Sequence, residues 1–241
     1  IMKPYIIENR FAKILISGQS GSGKTSVIKS LPSDVNILIY DFENGLLSIN
    51  NFLKQNSHRI TAYTCNDGYN DIKKITNINN TEVANFDYIV VDSLSMVSRI
   101  IEKHYANSVG KEGEITIAQW KNIANDAWLF FNNLMQLECN VIFYAQTDTT
   151  IDSVGRRNIE LAINGNDFKK QVLPILDFAF YLSVNEDKKR FFVTDNSVSL
   201  ASGALHVCKK RDELNVLEDV EEANLEYIFN KLNGVLQNAT S

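Results

Sequence analysis

The chain has 241 residues, of which 44% are hydrophobic and 22% charged, and its formal net charge is −5. This composition is sufficient for a substantial buried core, and the acidic balance excludes indiscriminate electrostatic binding to nucleic acid while it allows a local basic groove. No apolar run approaches the roughly 18 residues of a membrane span, and three widely spaced cysteines match neither a disulfide framework nor a zinc site. We therefore predict one domain over residues 1–241, located in the cytoplasm and without membrane contact.

The first predicted elements are a strand, a glycine-rich loop and a helix. Residues 11–17 form an apolar run typical of a buried strand, residues 25–31 favour a helix that ends at Pro32, and the loop between them has the pattern G-x-x-x-x-G-K-[ST]. In this setting backbone N–H groups and the helix N-terminus bind phosphate, the lysine reaches the β- and γ-phosphates, and the threonine hydroxyl binds Mg²⁺. The predicted ligands are ATP and Mg²⁺, and the predicted binding residues are Gly18, Gln19, Ser20, Gly21, Ser22, Gly23, Lys24, Thr25 and Ser26.

Two carboxylates follow the next apolar strands. The strand predicted at residues 35–40 leads into Asp41-Phe42-Glu43, where Glu43 can accept a proton from the water that attacks the γ-phosphate. The strand predicted at residues 86–93 carries Asp92 at the end of its apolar run, where a carboxylate can hold Mg²⁺ directly or through water. Two simpler interpretations remain open, namely a solvated loop position for Glu43 and an N-cap role for Asp92.

Further strands are predicted at residues 59–64 and 140–146, and a long amphipathic helix at residues 117–137. Strands that alternate with helices imply a parallel sheet. Gln146 ends the last of these strands, where its amide can bond to the γ-phosphate or to the attacking water and report the nucleotide state to the loop behind it. A purely structural glutamine is the alternative.

The last third of the chain has a different pattern. Residues 178–184 and 190–194 flank a polar turn and predict a hairpin, residues 204–208 predict a further strand, and residues 220–232 an acid-started helix. The predicted fold class is therefore α/β, with a mainly parallel central sheet that antiparallel strands extend at the C-terminal end.

Four segments in this order resemble the nucleotide-binding signatures of RecA-like P-loop NTPases. They are residues 18–25, Tyr40-Asp41-Phe42-Glu43, Ile89-Val90-Val91-Asp92-Ser93 and Ile142-Phe143-Tyr144-Ala145-Gln146. The resemblance extends over about residues 11–211, and within this group the chain looks most like compact phage ATPases of the Sak group, which are associated with single-strand annealing and recombination. It implies a RecA-like core in which Glu43 is the catalytic glutamate and Gln146 couples ATP to a DNA-binding loop.

The same resemblance implies a site that a neighbouring subunit completes. Lys209-Lys210-Arg211 contains a Lys-x-Arg pair, and in hexameric and filamentous relatives such a pair reaches the neighbour's γ-phosphate. Cations suit this role because negative charge develops on the transferred phosphoryl group. We therefore expect a homo-oligomer, a ring or a filament, although a solvated basic turn is the alternative. The predicted catalytic residues are Lys24, Glu43, Asp92, Gln146, Lys209 and Arg211.

Residues 147–172 occupy the place of the DNA-contacting loop in this family. Contacts to the backbone of single-stranded DNA are predicted for Arg156, Arg157, Lys169 and Lys170. An ordinary exposed hairpin is the alternative. Residues 107–114 form a second candidate loop, which would face the central channel of an oligomer.

The predicted function is Mg²⁺-dependent hydrolysis of ATP to ADP by a phage protein that acts on single-stranded DNA in recombination or annealing, in the host cytoplasm. One alternative is a nucleotide-dependent switch or assembly protein that acts through a protein partner, for example a single-strand-binding protein. A small-molecule or nucleotide kinase is the other, but it would need an acceptor pocket and an arginine-bearing lid. Glu43 and Gln146 at their strand ends favour hydrolysis over phosphate transfer.

Overall fold

The computed structural model describes residues 11–107, 115–211 and 215–238, with side chains up to residue 232. Apart from Asn107, the candidate loop at residues 107–114 lies outside these ranges. The helices are α1 (Lys24–Val27), α2 (Asn50–Gln55), α3 (Tyr69–Thr76), α4 (Asn80–Val83), α5 (Leu94–Asn107), α6 (Ile117–Met135), α7 (Asn166–Ile175) and α8 (Leu225–Asn238). The strands are β1 (Lys13–Gly18), β2 (Ile37–Asp41), β3 (Ile60–Thr64), β4 (Tyr88–Asp92), β5 (Asn140–Ile151), β6 (Arg157–Leu161), β7 (Phe178–Val184), β8 (Arg190–Val193), β9 (Ala204–Leu205), β10 (Lys209–Lys210) and β11 (Val220–Glu222).

The strands of the described residues join in one sheet with the order β11-β8-β7-β1-β5-β4-β2-β3. From β7 to β3 all neighbours are parallel, whereas β8 is antiparallel to β7 and β11 to β8. β10 also pairs antiparallel with β7, and β6 pairs antiparallel with the far half of β5. This topology confirms the predicted α/β class, with a parallel centre extended by antiparallel strands.

Apolar side chains cover both faces of the parallel strands. On β1, Leu15 packs into the core below α5, α6 and α7, while its neighbours Ile14 and Ile16 pack into a second core below α1 and α8. All three are fully buried, because successive residues of a strand point to opposite faces and both faces are covered. These strands are continuous apolar runs in the sequence because both of their faces are buried.

Two predicted elements near the C-terminus differ in the structure. The strand predicted at residues 204–208 is two short strands, because β9 pairs with β6 while β10 pairs with β7. The helix predicted from residue 220 begins only at Leu225, since Val220–Glu222 pairs with β8 as β11. The predicted helix at residues 25–31 is shorter than expected and continues as a 3-10 turn at Ile28–Ser30.

The carboxyl ends of the parallel strands meet at one edge of the sheet. In the register, Gly18 of β1 lies beside Gln146 of β5, and Asp41 of β2 lies beside Asp92 of β4. Loops that follow neighbouring parallel strands therefore converge at this edge, which is where open α/β sheets bind ligands. No helix among the described residues is long and apolar enough to cross a membrane.

Candidate functional site

The glycine-rich loop closes around the ammonium group of Lys24. Gly21 and Gly23 have φ angles of 78° and 94°, in the left-handed region that glycine adopts without strain. The Lys24 Nζ donates to the carbonyl oxygens of Gly18 at 2.8 Å and Gln19 at 3.0 Å. Burial lowers the pKa of this lysine, while the nearby carboxylates Glu43 and Asp92 oppose the shift. The ammonium thus lies inside the loop and faces the carboxylates of the neighbouring strand ends.

The hydroxyl of Ser22, unpaired within the described residues, is evidence that this loop binds a phosphate. Its Oγ is buried and has no hydrogen-bond partner among the residues that the structure describes. A buried polar atom of this kind normally finds a partner, and a phosphate oxygen held by the loop would provide one. The residues of the loop therefore fit the phosphate chain of a nucleotide.

Thr25 and Asp92 form the part of the site that fits Mg²⁺. The Thr25 Oγ1 donates to Asp92 Oδ2 at 2.7 Å, so a hydroxyl and a carboxylate, both hard oxygen ligands, lie side by side. Burial is the main cause that raises the pKa of Asp92 to about 6, and the hydrogen bond from Thr25 only partly offsets it. A cation at this position would compensate the buried negative charge, so the donor set suits a divalent ion.

The turn after β2 is organised by Asp41, a residue for which the sequence predicted no role. Asp41 is 1% exposed, and its carboxylate accepts hydrogen bonds from the backbone N–H groups of Glu43 at 3.0 Å, Gly45 at 3.2 Å and Leu46 at 3.1 Å. These bonds fix the backbone that presents Glu43. The Asp-x-Glu spacing contains this signal, because an aspartate commonly accepts from backbone N–H groups a few residues further on.

Glu43 and Gln146 are in direct contact. The Gln146 Nε2 donates to both carboxylate oxygens of Glu43 at 3.1 Å, and Ser93 Oγ donates to Glu43 Oε1. Ser93 directly follows Asp92 across a cis peptide bond. Two side chains, one on β5 and one directly after β4, therefore hold the half-buried Glu43.

Gly45 approaches the Thr25–Asp92 pair more closely than any larger residue could without displacing it. A Cβ atom at Gly45 would lie 3.1 Å from Thr25 Oγ1 and 3.4 Å from Asp92 Oδ2. The first distance is tighter than ordinary van der Waals contact, so the absence of a side chain here keeps space beside the two oxygens. No sequence pattern pointed to this residue.

Lys209 and Arg211 lie at the opposite edge of the sheet. Lys209 Nζ donates to the carbonyl oxygens of Leu173 at 2.8 Å and Leu176 at 2.7 Å, at the C-terminal end of α7. Arg211 lies beside Asp177, with its backbone N–H donating to the Asp177 carbonyl oxygen at 3.1 Å and its Nη1 3.8 Å from Asp177 Oδ1. β10 runs antiparallel to β7 and ends beside Phe178, at the end of β7 away from the phosphate loop. The structure therefore separates these two residues from the other predicted catalytic residues of the same chain.

The four predicted DNA-contacting cations do not form one row. Arg156 and Arg157 lie at the tip of the β5–β6 hairpin, in and beside a turn that Asp152 Oδ1 closes by accepting from Val154 and Arg156 N–H groups. Lys169, on α7, forms an ion pair with Glu160 at 2.7 Å. Arg157 and Glu160 are three residues apart on β6 and so point to opposite faces of the hairpin. The four cations are thus distributed over the hairpin and α7, and the carboxylate of Glu160 lies next to Lys169.

Comparisons with known proteins identify the family of this chain. Solved structures that are similar to it include the RadB recombinase, 18% identical over 76% of this chain and 79% of that one, with a TM-score of 0.45. Another is an ATPase from the type III secretion system of pathogenic bacteria, 15% identical over 71% of this chain and 52% of that one, with a TM-score of 0.46. No curated protein sequence matches. The sequence model of the AAA domain family matches residues 10–211, which contain every site residue named above.

Proposed function

The chain belongs to the AAA domain family, and we propose that this RecA-like P-loop ATPase hydrolyses ATP with Mg²⁺ at the edge of its sheet and couples hydrolysis to single-stranded DNA. The observation that carries the proposal is the contact between Gln146 and Glu43. It joins the residue suited to activate water to the strand that continues into the β5–β6 hairpin. The phosphate loop, the proposed general base Glu43 and the strand that leads to the hairpin are therefore next to one another.

In the proposed reaction the loop N–H groups and Lys24 bind the phosphate chain of ATP, for which the ammonium exchanges its two carbonyl partners for phosphate oxygens. Glu43 accepts a proton from the attacking water. Thr25 and Asp92 would hold Mg²⁺, which would supply positive charge beside the phosphates. The bonds from Gln146 and Ser93 orient the Glu43 carboxylate, and the transfer of the proton to Glu43 depends on this orientation.

The DNA-binding surface in this proposal is the β5–β6 hairpin together with α7. Arg156, Arg157 and Lys170 are exposed, and Lys169 would exchange Glu160 for a phosphate when DNA binds. β5 is continuous from Asn140 to Ile151, so it leads directly from Gln146 into the hairpin. Contacts on this surface can therefore act on Gln146 through one unbroken strand.

We further propose that the ATPase works as a homo-oligomer. Lys209 and Arg211 lie at the end of β7 away from the phosphate loop of their own chain, so a role in hydrolysis would require them to act at the site of a neighbouring subunit. The resemblance to phage ATPases of the Sak group supports a role in annealing or recombination in the host cytoplasm, with a single-strand-binding protein as a further partner. One domain over residues 1–241 is part of this proposal.

The test is steady-state ATP hydrolysis with and without single-stranded DNA at low salt, where electrostatic contacts are strongest. We expect DNA to stimulate the wild type several-fold, Gln146→Ala to have a lower basal turnover that DNA does not stimulate, and Lys24→Ala to abolish turnover. Gln55→Ala, the same substitution at an exposed site on α2, is the matched control. Stimulation of Gln146→Ala to the wild-type extent would contradict the coupling.

A second candidate function is a nucleotide-dependent switch that acts through a protein partner. The hairpin tip favours it, because Ile151 and Val154 are 69% and 70% exposed and offer apolar surface that a protein could cover. Slow hydrolysis that DNA does not change, together with ATP-dependent binding of a single-strand-binding protein that Ile151→Ser abolishes, would support this function instead.

A further inference from the structure

Arg190, the first residue of β8, lies directly against the phosphate loop. Its Nε donates to the carbonyl oxygen of Ser22 at 2.9 Å. A Cβ atom at Gly23 would lie 2.3 Å from this Nε and 2.8 Å from Nη2 of the same guanidinium, so a larger residue here would displace the guanidinium from this position. The loop therefore has a second cation beside it in addition to Lys24, and the sequence pattern of the loop contains no sign of this residue.

The guanidinium borders a cavity of about 700 Å³ between the first turn of α1 and the β7–β8 hairpin. This volume is within the range of small-molecule sites. Its charged lining consists of four cations and one carboxylate, which are Lys29, Lys188, Lys189, Arg190 and Glu222. Ser26, which follows the predicted Mg²⁺ ligand Thr25, also lines it. The cavity thus begins at Ser26, directly after the phosphate loop, and is predominantly basic, as a site for an anionic ligand requires.

Arg190 has no carboxylate partner that would account for its position. Within the described parts of the chain, no Asp or Glu lies within ion-pair distance of it. Its hydrogen bond to Ser22 uses one of the five donors of the guanidinium, and the side chain is exposed. The remaining donors are available to a ligand in the cavity.

The sheet order determines which part of a nucleotide Arg190 could contact. Glu43 follows β2, Asp92 ends β4 and Gln146 lies on β5, all on one side of β1, whereas Arg190 comes from the β7–β8 hairpin on the other side. The hydrolysed phosphate must lie beside Glu43 and the candidate Mg²⁺ ligands. A cation on the far side of β1 therefore faces the part of the nucleotide that the reaction does not change.

We propose that Arg190 is a nucleotide-binding residue that acts in cis, and that it contacts the α-phosphate end of a nucleoside di- or triphosphate lying in this cavity. The inference rests on the proposed ATP-binding function. Because the α-phosphate is common to ATP and ADP, Arg190 stabilises both ligands equally and contributes to affinity without contributing to turnover.

The test is calorimetric titration of Arg190→Gln and of Arg190→Lys with ATP and with ADP. The titration with ATP is carried out in the absence of turnover. Glutamine keeps a donor for the Ser22 carbonyl but removes the charge, whereas lysine keeps the charge. We expect Arg190→Gln to weaken both nucleotides by about tenfold with kcat within twofold of wild type, and Arg190→Lys to recover most of the affinity. Arg99→Gln, an arginine exposed on α5, is the control for the loss of charge elsewhere.

Wild-type affinity of Arg190→Gln for ADP would overturn the inference, as would equal weakening by glutamine and lysine or a fall in kcat at unchanged affinity. The proposed function fails in a different way. A wild-type protein that binds ATP and ADP with the expected dependence on Arg190 but does not hydrolyse ATP refutes the ATPase proposal and supports the role of Arg190. A wild-type protein that binds neither nucleotide refutes both.

Discussion

Replacement of Asp92 by asparagine tests the electrostatic account of the candidate Mg²⁺ site. The side chain is 2% exposed, and burial is the main cause that raises its pKa from 3.8 to about 6. The neighbouring carboxylates Glu43 and Asp41 add to the rise, while the hydrogen bond from Thr25 opposes it. Asparagine preserves the shape and an oxygen that can accept from Thr25, but it has no proton to titrate.

The shift in pKa corresponds to about 3 kcal/mol of folding free energy. The folded protein binds this proton more tightly than the unfolded chain, so the free energy of unfolding of the metal-free protein falls as pH rises from about 4 to about 6. Above that range the cost of the ionised, buried carboxylate is present in full. Asp92→Asn does not have this cost, so it should gain stability relative to the wild type as pH rises, by about 2 kcal/mol between pH 4.5 and 7.5.

The assay is urea unfolding of both proteins at the two pH values, in the presence of a metal chelator, with the difference in free energy of unfolding as the readout. Titration of other groups cancels in this difference to the extent that the substitution leaves them unchanged. A difference that does not vary with pH would refute the assignment of a raised pKa to Asp92. With Mg²⁺ and ATP added at pH 7.5 the wild type should lose its disadvantage relative to Asp92→Asn, because the carboxylate then has a cation beside it.

Two further predictions concern turnover. Glu43→Gln should bind ATP with wild-type affinity and lose about 10²- to 10⁴-fold in kcat, since an amide cannot accept the proton of the attacking water; hydrolysis at the wild-type rate would remove Glu43 from the mechanism. Gly45→Ala places a methyl group 3.1 Å from Thr25 Oγ1, so the Mg²⁺ concentration for half-maximal hydrolysis should rise several-fold while Mg²⁺-free binding of ATP is unchanged. An unaltered Mg²⁺ dependence would place the ion elsewhere.

The sequence predicted the fold class and the segments that the structure brings together. Its success has a physical cause: each of the strands β1, β2, β4 and β5 contains a continuous apolar run that is followed at once by a polar residue. Such runs fit strands buried on both faces, and parallel strands in a single sheet must end at the same edge. The order of the motifs therefore implied that Glu43 would lie near Gln146, and their hydrogen bonds lie at that edge. Their chemical roles stay predictions.

Elements that depend on distant partners were not predictable in the same way. Glu221 and Glu222 resemble the acidic first turn of a helix, yet they pair with β8, and Glu221 is buried in an ion pair with Lys231 at 2.7 Å. Tertiary pairing thus overrides a reasonable local signal. Arg190 is a similar case, because its contact with the phosphate loop joins residues 168 positions apart and leaves no local pattern.

The surroundings of Gln146 limit how a signal from the hairpin could reach Glu43, the proposed general base. Its backbone N–H donates to Ser95 Oγ at 2.8 Å, its carbonyl oxygen accepts from the Ala162 N–H at 2.8 Å, and its strand is hydrogen-bonded to β1. Sliding of β5 along the sheet would break all of these bonds together, at a cost of about 1 kcal/mol or more for each. Rotation of the Gln146 side chain costs only its two bonds to Glu43. In the proposed mechanism DNA binding therefore acts through the torsion angles of this one side chain, and the Gln146→Ala variant tests that step directly.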